Sequence, residues 1–333
     1  MSDRSNHLLQ VIQQFTGKRV LVLGDVMLDE YLKGSVDRVS PEAPVPVVSL
    51  RSRESKPGGA ANVALNLNSL GAEAVLIGLI GEDDAGRDLA QALTSEGIDA
   101  NFLVTSSTRR TTRKARVMSQ GQQLLRVDTE DAQPPNDNER SKLLQQVKTC
   151  LSKGKIDVIL FQDYDKGVLD EQLIQAVNNL AQDARIPTVV DPKARNLWHY
   201  KGVTLFKPNL KEVSAALPAL TIDSNDTQSL SAAHEALLEM LGHDQSLITL
   251  GSGGAYLAFE KEHKHIAAHP RRIADVCGAG DSVVAVAALA LAVNAEAHDL
   301  LELANLAGGL TCEYVGVHPI DISDLERGIR ELE

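Results

Sequence analysis

The chain has 333 residues, of which 43 % are hydrophobic and only 3 % aromatic, so it can bury a sizeable core built from Leu, Val, Ile and Ala. Its 33 basic and 45 acidic side chains leave a net charge of −12, which argues against nucleic acid or an anionic membrane as partner, because both need basic surface. Three widely spaced cysteines, Cys150, Cys277 and Cys312, give neither a disulfide framework nor zinc spacing, and with no signal-peptide-like or membrane-length apolar run they point to a reduced cytoplasm.

In chain order, residues 19–25 form a short β-branched and leucine run ending in Gly-Asp, as a buried strand opening onto a site does. Asp25 and Asp29 follow it. Asp29 could grip a polyol, although a solvated loop acid is the stronger reading of that residue by itself. Residues 31–50 carry Pro41, Pro44 and Pro46 among valines and predict strands outside the main sheet. Gly58 and Gly59 precede a predicted helix over 60–70, whose Asn62 offers a donor and an acceptor to sugar hydroxyls; a tightly packed helix–strand crossing has the same look. A strand over 74–81 and a helix over 86–96 come next. Residues 101–128 alternate apolar and polar residues and with 31–50 predict a small β lid, a device that excludes water from transfer reactions; two edge hairpins with no function have the same look. Helices over 138–152, 170–183 and 229–241 alternate with strands over 157–161, 187–191, 205–209 and 246–251, which predicts a three-layer α/β fold on a mostly parallel sheet.

Three motifs lie in the second half. After a strand, Lys207-Pro208-Asn209-Leu210-Lys211-Glu212 sets Asn209 and Glu212 three apart, a spacing that can hold waters of a phosphate-bound Mg²⁺. A helix capping box has the same spacing and is the stronger reading of the residues by themselves. Thr249-Leu250-Gly251-Ser252-Gly253-Gly254 is a strand and a glycine turn. Cys277-Gly278-Ala279-Gly280-Asp281 opens into an apolar, alanine-rich helix over 283–293. Helix N-termini present unpaired N–H groups and partial positive charge, and so bind phosphate oxygens. An aspartate in that first turn can take the proton of an attacking hydroxyl, so the chemistry suggested is phosphoryl transfer to an alcohol with Asp281 as base; a helix N-terminus with a capping Asp and no ligand is about as good a reading of this motif by itself. No P-loop, no protein-kinase signature and no Gly-x-Gly-x-x-Gly after the first strand compete with this.

Taken in order, Gly58–Asn62, Asn209-x-x-Glu212, Thr249-Leu-Gly-x-x-Gly254 and Gly278–Asp281 resemble the ribokinase-like (PfkB) carbohydrate kinase family over nearly the whole chain. That resemblance implies a single kinase domain over 1–333 with the ribokinase-like fold. It makes Asp281 the base and the backbone of Gly278, Ala279 and Gly280 an anion hole. It assigns Asn209, Leu210, Lys211, Glu212, Thr249, Gly251, Gly254 and Asn305 to ATP, with Mg²⁺ at Asn209 and Glu212 through water. Asp29, Gly58, Gly59, Asn62, Arg116 and Lys193 would take the sugar. The segments 24–31, 38–47, 121–128 and 191–193 are similar to the heptose 7-phosphate kinase branch, which implies a sugar phosphate substrate whose own phosphate meets one or two of Lys193, Arg109, Arg110, Arg113, Lys114 and Arg116. The branch usually has Gly where Asp165 stands, and Cys277 places a thiol at a helix N-terminus, where a lowered pKa would make it oxidisable, although a small buried residue is the stronger reading. Bifunctional relatives carry a nucleotidyltransferase domain after the kinase, and none is expected within this chain. A homodimer paired through the lid is expected. The alternatives are a kinase for another sugar or nucleoside on the same fold, or a silent sugar-binding regulator, against which the intact Gly278–Asp281 loop argues.

Overall fold

The computed structural model describes residues 2–269 and 271–332. The first helix, α1 (Asp3–Gln13), packs on the outside of the fold; strand β1 (Arg19–Gly24) then enters the core. From there the chain builds β2 (Val26–Val39), β3 (Pro46–Gly59), α2 (Ala60–Ser69), β4 (Glu73–Ile77), β5 (Leu79–Gly81) and α3 (Asp84–Ser95). Next come β6 (Val104–Ser106), β7 (Thr112–Ser119), β8 (Gln122–Thr129), α4 (Asp137–Lys153), β9 (Val158–Gln162), α5 (Glu171–Ala184) and β10 (Thr188–Asp191). The second half continues through β11 (Leu205–Phe206), α6 (Leu210–Ala216), α7 (Thr227–Leu241), β12 (Gln245–Thr249), β13 (Ala255–Phe259) and β14 (Glu262–Ile266). It ends in α8 (Ala279–Ala292), α9 (Ala297–Thr311) and α10 (Ile322–Arg330).

Eight strands form the central sheet in the order β14-β13-β12-β11-β10-β9-β1-β4. All pairs from β4 to β12 are parallel, and β13 and β14 close one edge antiparallel. The period of two along each strand divides the apolar residues between two cores. Val20, Val22, Leu76, Leu160 and Val189 face α1, α2, α8, α9 and α10. Leu21, Leu23, Ile77, Phe161 and Val190 face α4, α5 and α7. This is the expected three-layer α/β architecture.

Two expectations are corrected. Residues 74–81 are not one strand: the chain breaks at Gly78, where a side chain would meet Val26 Cγ1 at 2.8 Å and the Gly24 carbonyl oxygen at 3.0 Å. β5 then leaves the main sheet and pairs with β6 instead. The lid is also larger than residues 31–50 and 101–128. It is a four-stranded sheet, β3-β2-β7-β8, that begins at Val26 and returns only at Gly59. Pro41 and Pro44 mark the turn between its two long strands. Residues 104–106 lie outside it, and 100–102 form a short 3₁₀ turn.

Chain order around the sheet runs from β1 outward to β4, then back across to β9 and outward to β12. The connection therefore reverses between β1 and β9, and ligands of such sheets bind beyond the carboxyl ends of the strands at this reversal. Gly24, the last residue of β1, packs so closely on β9 that a Cβ would stand 2.1 Å from the Gln162 carbonyl oxygen. The two strand ends thus deliver their loops side by side.

Candidate active site

A cavity of about 150 Å³ lies at this point, lined by Tyr164, Asp191, Lys193, Lys207, Asn209, Thr249, Gly278, Gly280 and Asp281. Four strand ends, those of β9, β10, β11 and β12, and one helix N-terminus supply it. Gly278 caps α8 with a φ of +80°, a conformation glycine adopts without penalty, and Asp281 is the third residue of that helix. The N–H groups of Gly280 and Asp281 fall in the first turn, where the helix has no acceptor for them. Ser282 Oγ donates to Asn66 Oδ1 over 2.8 Å and latches α8 to α2.

Asp281 is buried, yet its carboxylate is well supplied with donors. Asn62 Nδ2 donates to Oδ2 over 2.6 Å. The Tyr164 hydroxyl donates to Oδ1 over 2.5 Å, and Gln162 Nε2 reaches the same atom at 3.3 Å. Burial pushes this carboxyl up to about 6; the Tyr164 and Asn62 hydrogen bonds hold it down, Asp191 raises it further and Lys207 lowers it. A carboxyl of this kind changes charge within reach of neutral pH, as a general base must.

Along the cavity wall, Lys207 Nζ lies 3.2 Å from Asp191 Oδ2, and Lys193 Nζ lies 3.7 Å from Asp191 Oδ1. Lys193 also pairs with Glu212. Burial lowers the Lys193 pKa, but Asp191 and Glu212 outweigh it and hold the ammonium firmly protonated. Asn209 and Glu212 do form a capping box on α6: Asn209 Oδ1 accepts from Glu212 N–H at 2.9 Å, and Glu212 Oε2 accepts from Asn209 N–H at 2.8 Å. Among the described residues no group of three or more His, Cys, Asp or Glu is arranged to hold a metal directly. Hard carboxylate oxygens of Asp191 and Glu212 beside the cavity nonetheless suit Mg²⁺, which keeps several waters and arrives with nucleotide phosphates.

The far wall of the site is built on the four-stranded sheet. Asp29 is no solvated loop acid: it lies buried on β2, and Arg116 Nη1 of β7 donates to its Oδ1 at 2.5 Å. Gly58 on β3 makes room for it, since a Cβ there would fall 2.3 Å from Asp29 Oδ2. Gly59 caps α2 with a φ of +60° and so aims Asn62 at Asp281. The Asn62 Oδ1 and Gln162 Oε1 atoms are buried without a hydrogen-bond partner in the protein, which leaves acceptors for hydroxyl groups.

Cys277 sits between these halves and senses Asp29, Arg116 and Asp281 together. Burial and the neighbouring Asp275 and Asp29 raise its thiol pKa, the reverse of the activation expected at a helix N-terminus.

Most of the basic cluster serves the lid itself. Arg109 donates to the carbonyls of Asp131 and Lys166 at 2.8 and 2.5 Å, Arg110 pairs with Asp131 at 2.8 Å, and Arg113 pairs with Glu30. Lys114 lies 3.8 Å from Asp128. Of the five, Arg116 is the one that pairs with the buried Asp29.

Of the nucleotide residues read from the sequence, Asn209 and Thr249 line the cavity and join their strands by a bridge. Gly251 and Gly254 shape the turn between β12 and β13, and Asn305 Nδ2 donates to the Ala267 carbonyl at 3.0 Å, outside the cavity lining. Leu210 packs against the core below α6, and Lys211 occupies that helix's first turn. Gln162, Tyr164, Asp191 and Lys207 were assigned no role from the sequence, although Asp191 opens the segment 191–193 and Lys207 opens the Asn209 motif; all four stand at or just beyond the ends of buried strands.

The family model described as pfkB family carbohydrate kinase matches residues 18–323. The chain belongs to that family. Its reaction class is phosphotransfer to a sugar hydroxyl, with ATP as the implied phosphoryl donor. Bifunctional protein HldE of Caulobacter vibrioides is 42 % identical over 327 residues, which cover 98 % of this chain and 65 % of that protein. HldE of Pseudomonas aeruginosa PAO1 is 40 % identical over 95 % of this chain and 65 % of its own length. The chain thus spans just under two thirds of these curated relatives. Among solved structures, phosphofructokinase-2 from Escherichia coli in complex with potassium superposes with a TM-score of 0.77 at 22 % identity, covering 95 % of this chain and 99 % of that one. Arabidopsis thaliana ribokinase complexed with ribose and ATP gives 0.72 at 18 %, with coverage of 95 % and 99 %. These structures share the ribokinase-like fold.

Proposed function

We propose that the chain moves the γ-phosphoryl group of ATP to the anomeric hydroxyl of D-glycero-β-D-manno-heptose 7-phosphate, giving the 1,7-bisphosphate on the route to ADP-heptose for lipopolysaccharide core. The observation that carries this is the buried Asp281 carboxylate at the N-terminus of α8, facing a cavity with two lysines. The choice of sugar rests on the lid and on the segments similar to the heptose branch, which include Asp29, Arg116 and Lys193. Asp281 accepts the hydroxyl proton as the sugar oxygen bonds to the γ-phosphorus; the bond from that phosphorus to the β,γ-bridging oxygen breaks, and ADP leaves. The first-turn N–H groups of α8 with Lys193 and Lys207 stabilise the charge on the transferring group. Mg²⁺ bound with the nucleotide would neutralise phosphate charge, with Asn209 and Glu212 holding its waters. The Thr249–Gly254 turn and Asn305 lie toward the base of the nucleotide in this reading. Asn62 and Asp29 orient the sugar, and Gly58 and Gly59 keep its cradle open.

The protein acts in this reading as one kinase domain, as a homodimer, in the cytoplasm. The three free thiols suit that compartment, and among the described residues no helix is long and apolar enough to cross a membrane.

Coupled ADP release with MgATP, compared across heptose 7-phosphate, fructose 6-phosphate, ribose and adenosine, tests the substrate. Turnover confined to the heptose phosphate is expected, and preference for another member would overturn the choice of sugar. Asp281→Asn should lower kcat by at least about a hundredfold while ATP still raises the melting temperature. Undiminished turnover in that variant would remove Asp281 as base.

A further inference from the structure

The loop between β9 and α5 is held with unusual care. The buried Asp25 carboxylate, at the end of β1, accepts the N–H groups of Tyr164, Lys166 and Val168 at 2.8, 3.0 and 2.9 Å. Asp163 accepts from Asn196 Nδ2 at 3.0 Å, the Tyr200 hydroxyl at 2.7 Å and the Asp165 N–H at 2.8 Å. Arg109 clamps the Lys166 carbonyl from the lid side. Two carboxylates in a dry crevice are a costly way to fix a turn. What the turn delivers into the cavity is the Tyr164 side chain. Its ring lies under Lys193 Nζ, 5.8 Å from the centroid, and its hydroxyl reaches Asp281.

A carboxylate has about four lone-pair positions. Tyr164 and Gln162 occupy the two on Asp281 Oδ1, and Asn62 occupies one on Oδ2. One acceptor position remains, on Oδ2. Oδ2 also lies on the side of Asn62, whose own Oδ1 has no partner in the protein. We infer that Tyr164 is a positioning residue of the phosphoryl transfer: its hydroxyl closes Oδ1 of Asp281, so that Oδ2 beside Asn62 is the atom that takes the proton of the attacking sugar hydroxyl. This rests on Asp281 being the base.

The neutral phenol donates to the ionised carboxylate and so favours the charged, working form of the base. The other groups facing Asp281 are Asn62 and Gln162, the Asp191 carboxylate, the Lys207 ammonium and the Cys277 thiol. None of them is removed by Tyr164→Phe, which deletes one oxygen. In that variant kcat should fall about ten- to a hundredfold at neutral pH, with both KM values within about twofold. The acid limb of the kcat profile should move up by about one pH unit. A ¹³C titration of the Asp281 side-chain carboxyl in the free protein needs no substrate, and its midpoint should rise in the variant by the same amount. In an Asp281→Asn background, Tyr164→Phe should cost no further turnover.

An unmoved ¹³C midpoint together with unchanged kcat would overturn the inference. Full turnover in Asp281→Asn would instead overturn the base assignment, whatever Tyr164→Phe does. A fall in kcat with an unmoved acid limb and midpoint would show Tyr164 to be packing only, which also overturns it.

Discussion

Asp165 follows Tyr164 directly and adopts a φ of +55°, in the left-handed region that disfavours L-residues. Its Oδ1 is buried without a hydrogen-bond partner. The departure from the branch pattern, Asp where Gly is usual, is thus a conformational matter as well as one of charge. Asp165→Gly should relieve the backbone and remove an unpartnered buried oxygen, raising stability by about 1 kcal/mol. A melting temperature higher by about 2 °C is expected, with turnover retained because the loop's backbone bonds to Asp25 and Asp163 remain. A lower melting temperature would show that Asp165 does something for the loop that its contacts do not reveal. The same loop shows what was legible at this scale. Asp281 with its glycines could be read because its chemistry is local in the chain: a helix start carries its own anion site. Tyr164, Gln162, Asp191 and Lys207 could not, because only the parallel strands bring them together and no spacing in the sequence records it. Asn209 and Glu212 illustrate a third case: the capping box, the stronger reading of the residues by themselves, is what forms, and Asn209 also lines the cavity.

Among the elements, the strands and helices of the main sheet were legible from runs of apolar residues, whereas the lid was underestimated. Prolines 41, 44 and 46 were read as marks of the lid strands themselves, but they sit in the turn and at the start of β3. The strands continue down to the floor of the site, where Met27 pairs with Gly58. The lid also carries a cluster of exposed apolar side chains: Val39, Val45, Leu50, Leu124, Leu125 and Val127. Three of these lie on β8, which is an outer strand of its sheet. Exposed apolar edge strands promote pairing with another chain unless covered. A second copy of this chain, set lid to lid, would cover them. Sedimentation equilibrium should therefore give twice the chain mass at micromolar concentration. The double variant Leu125→Glu, Val127→Glu should dissociate to monomers with its melting transition otherwise cooperative. A monomeric wild-type chain would refute lid pairing.

For the molecule as a whole, the −12 net charge hides opposing buried groups. Burial pushes Asp163 and Asp281 up to about 6 each. Above its unfolded pKa each is costly to keep ionised, so the native state gains from both as pH falls toward 4. His243 works the other way. It lies buried behind β12, with Ser246 Oγ 2.6 Å from its Nε2 and the Phe206 ring centroid 5.3 Å away, and Ser246 also bonds His234 Nδ1 at 2.9 Å. Burial, with His234 close by, lowers the His243 pKa to about 4. The unfolded chain, with His near its ordinary 6.5, then binds a proton that the native state refuses. This contribution is fully present above pH 6.5 and is lost as pH falls from 6.5 to 4, amounting to about 3 kcal/mol at the acid end. The two effects share one pH window and oppose each other, so the wild-type chain should show nearly level stability from pH 7 to 5. Replacing His243 by Gln keeps a partner for Ser246 and removes the titration. The variant should match or trail the wild type in urea at pH 7.5 but gain on it steadily toward pH 5, because the His243 loss is gone while the carboxylate contribution remains. Parallel unfolding curves for the two proteins at both pH values would show that His243 binds protons alike in the native and unfolded chains, and would place the balancing charge elsewhere.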